Sequence, residues 1–351
     1  MKNPVIVDAH EDIAFNAIML KRDFLLDISK LRSVDSAPRE KEGTPTVCLP
    51  ELEKGNVRVV FATVWVAPCG KSGVDTSKCY GTAEEAHSQG LEQLAYYRKL
   101  EREGRIRIIQ TRDDLREHLK SDNGAKVGFV FLMEGADPIR APKEAKEWFN
   151  AGIRIIGPAW KRTRYAGGTG EPGPLSPEGK ELMKEMESIG FILDTSHFAE
   201  ESFYEALDLF HGPVIASHAN SRVLTPTDRQ LTDEMIKALI HRGGVIGTVF
   251  YNNFLDPKWV ERGKIKNEIT FSTVFSHMNR ICDLAGDRGH IAIGTDFDGG
   301  FGLESTPAEI NTVADLQKFG PFLQQESDFS EEETAGVLGG NWLRVLERAL
   351  P

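Results

Sequence analysis

The sequence predicts an α/β fold of the (β/α)8, TIM-like barrel class, and three observations predict it. Short apolar runs recur along the chain, each followed by a polar or glycine-containing loop and a longer charged, helix-like segment, the alternation of a parallel α/β protein. The runs number eight: Val5 to Asp8, Val57 to Val66, Val127 to Met133, Ile153 to Gly157, Phe191 to Asp194, Val214 to Ser217, Val245 to Val249 and Ile291 to Gly294. The first leads into Asp8-Ala9-His10-Glu11-Asp12 rather than the glycine-rich turn of an open doubly wound sheet, so a closed barrel is favoured.

Helical segments with charged faces fill the gaps: Ala83 to Glu103, Pro142 to Ala151, Pro177 to Ser188, Glu200 to Leu209, Thr232 to Arg242 and Phe271 to Ala285. Pro38 to Pro50 reads as an irregular excursion between the first two strands. Gly167-Gly168-Thr169-Gly170 resembles a phosphate-binding turn only weakly, because Pro172-Gly173-Pro174 follows where a helix should begin; it reads as an active-site or surface loop. No internal repeat or interdomain linker is visible, so residues 1–351 are expected to form a single barrel domain.

A hydrophobic fraction of 40% and a charged fraction of 27% allow a sizeable core and exclude a disordered or membrane-embedded chain. The 42 Lys and Arg against 53 Asp and Glu give a formal charge of −11, which repels polyanions and makes nucleic acid an unfavourable partner. No apolar run approaches the roughly 20 residues that span a bilayer. The apolar stretch in Met1-Lys-Asn-Pro-Val-Ile-Val7 is too short for a signal peptide, so a cytoplasmic protein is expected. Cys48, Cys69, Cys79 and Cys282 form no CxxC pair and are expected as thiols.

The residues with metal-binding chemistry fall at the C-terminal ends of the predicted strands, the face where barrel enzymes place their chemistry. His10 and Asp12 follow the first strand, Glu134 the third, His197 the fifth, His218 the sixth and Asp296 the eighth. His10 and Asp12, two residues apart in extended chain, point the same way while Glu11 points away. Glu134 ends the apolar run Phe129-Val-Phe-Leu-Met133, where a carboxylate needs a cation, a strong donor set or a raised pKa; bridging two cations would satisfy it. Imidazoles suit zinc and related ions. Asp296 is placed to accept a proton from a water acidified by two cations, whereas Asp298, before Gly299, reads as a turn residue. His87, His118, His211, His241 and His277 lie on predicted helices or their ends and are expected to face solvent or cap; His290 precedes the last strand and is expected to be structural.

With these segments assembled, the sequence resembles the membrane (renal) dipeptidase family of zinc peptidases. The resemblance runs through Val7-Asp-Ala-His-Glu-Asp12, Met133-Glu-Gly135, Leu175-Ser-Pro-Glu-Gly179, Leu193-Asp-Thr-Ser-His197, Ile215-Ala-Ser-His-Ala219, Phe250-Tyr-Asn-Asn253 and Gly294-Thr-Asp-Phe-Asp-Gly299. It implies two zinc ions, other divalent ions being alternatives, with His10, Asp12 and Glu134 around one and Glu134, His197 and His218 around the other. It implies Asp296 as catalytic acid/base, Arg229 as the grip on the substrate carboxylate, Tyr251 as a substrate contact, a small dipeptide as substrate with a D-residue tolerated at its C-terminal side, and a homodimer as a possible assembly. Mammalian members of that family are secreted, disulfide-linked and lipid-anchored, whereas no signal or anchor is expected from this sequence; it also has no histidine between His118 and His197, where the family usually carries a substrate-contacting one after the fourth strand. Trp160 falls near that position, and Arg162 and Arg164 beside it are candidates to replace the missing donor and to favour acidic dipeptides. The alternatives are a hydrolase of N-acyl amino acids or other small amides or lactones on the same site, and a catalytically inactive barrel that serves as a binding protein.

Overall fold

A computed structural model describes residues 4–70, 79–120, 126–326 and 328–351 of the chain. Nine strands occur among the described residues: β1 (Ile6–Glu11), β2 (Val57–Trp65), β3 (Ile106–Ile108), β4 (Val127–Glu134), β5 (Ile153–Gly157), β6 (Ile192–Asp194), β7 (Val214–Ile215), β8 (Ile246–Thr248) and β9 (Ile291–Ile293). All pairings are parallel, in the order β1-β2-β4-β5-β6-β7, with β8 and β9 paired separately. Bridges from Ala216 to Ile246 and from Glu11 to Phe297 close the circle. The barrel is therefore made of the eight predicted strands.

β3 was not expected. It pairs with Val127–Phe129 at the base of β4, below the point where β5 takes over at Phe131, and so lies outside the circle. Three residues with an arginine in the middle give no apolar run to read.

Alternation with a period of two sorts the strand residues into two cores. Val7, Ala9, Val59, Phe61, Val130, Leu132, Ile155, Ile192, Ile215 and Ala292 pack together, and Trp342, Val345 and Leu346 of the C-terminal helix Asn341–Ala349 join them. The alternate positions, including Val60, Ala62, Phe129, Phe131, Met133, Ile156 and Leu193, pack against the surrounding helices. Full burial of each Val, Leu, Ile, Phe or Met among them contributes roughly 1.5–3 kcal/mol. A register shift on β1 carries a functional consequence: Asp8 to Glu11 spans three steps where its partner spans two, Val60 to Ala62. The extra residue inverts the alternation. Val7 and Ala9 share the core of Val59 and Phe61, and after the inversion it is Asp12 that meets Thr63, the next inward residue of β2.

The predicted helices occur as Ala83–Arg102, Ala145–Asn150, Pro177–Ile189, Glu200–Leu209, Asp233–His241 and Phe271–Ala285. Thr82, Ser176 and Thr232 cap three of them through their hydroxyls. Arg39–Glu42 forms a short helix within the expected irregular stretch, and a second, Leu49–Lys54, begins at its end. Asp298 braces that excursion. Its buried carboxylate accepts from the Thr46 N–H and hydroxyl and from the Val47 N–H at 2.8–3.0 Å, a larger part than a turn residue plays.

Two expectations are corrected. Cys69 and Cys79 are joined in a disulfide, while Cys48 and Cys282 remain thiols; the ten-residue separation hid a Cα–Cα distance of 4.9 Å. His118 and His277 are buried, with ring nitrogens at the Arg58 and Leu255 carbonyls, because each falls on the inward face of its helix. Among the described residues no helix is long and apolar enough to cross a membrane.

Candidate metal centre

The five sequence-predicted ligands converge above the barrel core. Glu134 closes β4 with its two oxygens turned to different neighbours. Oε2 lies 3.5 Å from His10 Nε2, while Oε1 lies 2.9 Å from His197 Nε2 and 3.3 Å from His218 Nε2. Asp12 Oδ1 and Asp296 Oδ1 lie 3.9 and 3.8 Å from His10 Nε2. His10 and His218 stack at 3.7 Å between ring centroids, and the Nε2 atoms of His197 and His218 are 3.0 Å apart. Three groups bring their donor atoms within 4.8 Å of one another: His10, Asp12 and Glu134; Glu134, His197 and His218; and His10, His218 and Asp296.

Burial sets the electrostatics. It depresses His218 well below the ordinary imidazole value and His197 to about 4, with Arg229 adding to both, so these rings are neutral donors. Burial acts against His10 as well, but Glu134, Asp12 and Asp296 outweigh it and raise the ring to about 10. Glu134 is held well below the carboxylate range, despite burial, by His10 and by the His197 and His218 rings around it. Asp296 is raised well above that range by burial and by Asp12 and Glu134. A zinc-type cation fits this set: two neutral imidazole nitrogens converge with a carboxylate oxygen, and neither ring nitrogen of buried His10 has a hydrogen-bond partner among the described residues.

Residues behind the ligands fix them. Thr63 donates to Asp12 Oδ1. Ser217 Oγ lies 2.7 Å from His218 Nδ1 and donates to the buried carboxylate of Asp194. Thr169 Oγ1 lies 3.0 Å from His197 Nδ1. None of these was singled out from the sequence; Ser217, directly before His218, was the one with a local signal. His197 and Asp296 hold φ of 66° and 63°, left-handed backbone that costs non-glycine residues on the order of 1–3 kcal/mol and gathers at functional sites.

A cavity of about 360 Å³ opens on the cluster, at the small end of ligand sites. Asp12, Glu134, His197, Arg229 and Asp296 line it, with Trp160 and Phe254 among its walls. Arg229 is buried; its Nη2 donates to the His218 carbonyl at 2.8 Å, and neither Nε nor Nη1 has a partner among the described residues. Tyr251 stacks on Phe301 and packs edge-on against Phe254, which itself faces the cavity. The two arginines beside Trp160 are hydrogen-bonded to loop carbonyls. Arg162 donates to the Pro172 carbonyl, and Arg164 donates to the carbonyls of Asp137, Ile139 and Arg140, because the loops after β4 and β5 present carbonyls that need donors. Among the described residues the cations that line the cavity are Lys161, Lys41 and Arg229.

The family model described as membrane dipeptidase, peptidase family M19, matches residues 1–350. An uncharacterised dipeptidase of Schizosaccharomyces pombe is 25% identical over 358 residues, 99% of this chain and 81% of its own length. A dipeptidase of Claviceps purpurea is 25% identical over 309 residues, 86% of this chain and 68% of its own. A metallopeptidase of Rhodobacter sphaeroides, solved with a phosphinate mimic of the dipeptide L-Ala-D-Ala, superposes with a TM-score of 0.81 at 23% identity over 99% of this chain and 100% of its own.

Proposed function

The chain belongs to the membrane dipeptidase family of metallopeptidases and is a metal-dependent dipeptidase, and from that premise we propose a two-zinc centre that cleaves dipeptides. His10, Asp12 and Glu134 hold one ion, Glu134, His197 and His218 the other. The observation that carries this assignment is the division of the Glu134 oxygens between His10 on one side and His197 and His218 on the other. Bound cations supply a water acidified towards neutrality and positive charge beside the scissile carbonyl. Asp296 takes the proton of the attacking water and returns it to the departing amine. Arg229 grips the free carboxylate as a buried cation whose Nε and Nη1 have no hydrogen-bond partner among the described residues and remain as charged donors on different edges of the guanidinium.

We extend the reading to substrates with a C-terminal D-residue, in line with the ligand of the Rhodobacter sphaeroides relative, and to a homodimer, for which the exposed Val223 and Leu224 offer apolar surface. The cytoplasmic location expected from the sequence meets a counter-observation in the Cys69–Cys79 disulfide, since such bonds persist chiefly in oxidising compartments.

The deciding experiment compares zinc-loaded protein on free Xaa-Yaa dipeptides and on their N-acetyl forms. Hydrolysis of the free dipeptides alone is expected; equal rates would favour an amidase of N-acyl amino acids. Arg229→Ala should lower kcat/KM for dipeptides by roughly 30-fold or more, the cost of about 2 kcal/mol for losing one partner of a buried charge pair. An unchanged kcat/KM would remove Arg229 from the carboxylate. Acidic dipeptides are expected among the good substrates, now on account of Lys161 and Lys41. Lys161→Ala should reduce the acidic-over-neutral preference by a factor of about 2–5, the range of a partly exposed ion pair, and Arg162→Ala should leave it unaltered. The opposite pattern would return the role to the arginine.

A further inference from the structure

The run Gly167-Gly168-Thr169-Gly170 leads into no helix, yet it is folded tightly around one hydroxyl. A Cβ on Gly167 would come closer than 3.0 Å to the Gly173 backbone, and one on Gly168 to the backbones of Trp160 and Lys161. Glycine at both positions is what lets the two arms of the loop close on each other. The closed loop is pinned on three sides. The Thr169 N–H donates to the Trp160 carbonyl at 3.0 Å; the Gly167 carbonyl accepts from Ala199 N–H at 3.1 Å, two residues past His197; and the Gly170 N–H donates to Asp228 Oδ2 at 2.7 Å, next to Arg229. From that frame Thr169 Oγ1 reaches Nδ1 of His197, on the ring edge away from the Nε2 that faces Glu134 and His218.

We propose that Thr169 is a positioning residue for the metal centre. Its hydroxyl accepts from Nδ1–H of His197, which selects the tautomer whose Nε2 lone pair is open to a cation beside Glu134, and its loop ties that ring to the cavity wall at Trp160 and to the carboxylate-binding segment at Asp228. His197 needs such a hold because its backbone sits at φ 66°. His218 obtains the equivalent hold from Ser217, which is itself anchored on Asp194. A hydrogen bond on the distal nitrogen of a metal-binding histidine fixes both tautomer and ring orientation. The inference rests on the assignment of His197 as a ligand.

The test is chelator-competition measurement of zinc affinity for the wild type, Thr169→Val, Thr169→Ala and Thr169→Ser, with the His197 tautomer read by ¹⁵N NMR in the metal-free proteins. The valine and alanine variants should bind one of the two ions about 10–100-fold more weakly, while serine, which keeps the hydroxyl, should stay within a factor of about three of wild type. The tautomer population should shift in the first two variants and not in the third. Wild-type affinity and tautomer in either hydroxyl-free variant would overturn the proposal, as would a serine variant as weak as valine. A wild type that binds fewer than two ions would instead count against the metal centre itself, and the tautomer readout would still decide the role of Thr169.

Discussion

Asp296→Asn is expected to retain the full metal content of the wild type and to lose about 10²–10⁴-fold in kcat, the range for removing a positioned general base. Asparagine is the informative replacement. Asp296 sits at φ 63°, a conformation asparagine tolerates better than alanine does, so the loop after β9 keeps its course. The amide preserves size and one acceptor oxygen but cannot take up the proton of the attacking water. Asp296 also brings a carboxylate oxygen within 4.8 Å of ring nitrogens of His10 and His218, which gives the experiment two edges. Loss of an ion on substitution would make Asp296 a ligand instead of the base, and near-normal turnover with metal retained would remove it from the chemistry. A metal analysis beside the rate measurement separates these outcomes.

Glu134→Gln should be the most damaging single change to metal binding. The glutamine keeps the shape of the side chain but withdraws the negative charge that His10, His197 and His218 all face. Both ion positions should weaken by more than the roughly 10–100-fold that accompanies a change behind the ligands, and activity should fall with them. His10→Ala, by contrast, should empty mainly the position shared with Asp12. Two tightly held ions in Glu134→Gln would show that Glu134 does not bridge.

The barrel and the cluster were legible in the sequence because two periodic signals coincided: apolar runs marked the strands, and the carboxylates and imidazoles fell just past their ends. Features set by tertiary contact were not. The shift on β1 that lets Val7 and Asp12 both face inward leaves no trace in Val7-Asp-Ala-His-Glu-Asp12. β3 is too short to show a period. Arg162 and Arg164 were candidates from their place after the fourth strand, but loop carbonyls, which a local reading cannot see, accept from them, and Lys161 lines the cavity. Thr169 was hidden for a related reason, since its place depends on glycines that pack against segments up to eight residues away and on a partner 28 residues downstream.

The most direct test of the two-ion centre is the metal content of the zinc-reconstituted wild-type chain after removal of excess ion, measured by elemental analysis. Five protein ligands with a shared carboxylate exceed what one tetrahedral site takes, so about two ions per chain are expected. A chain that holds one ion or none, while folded and fully reconstituted, would contradict it.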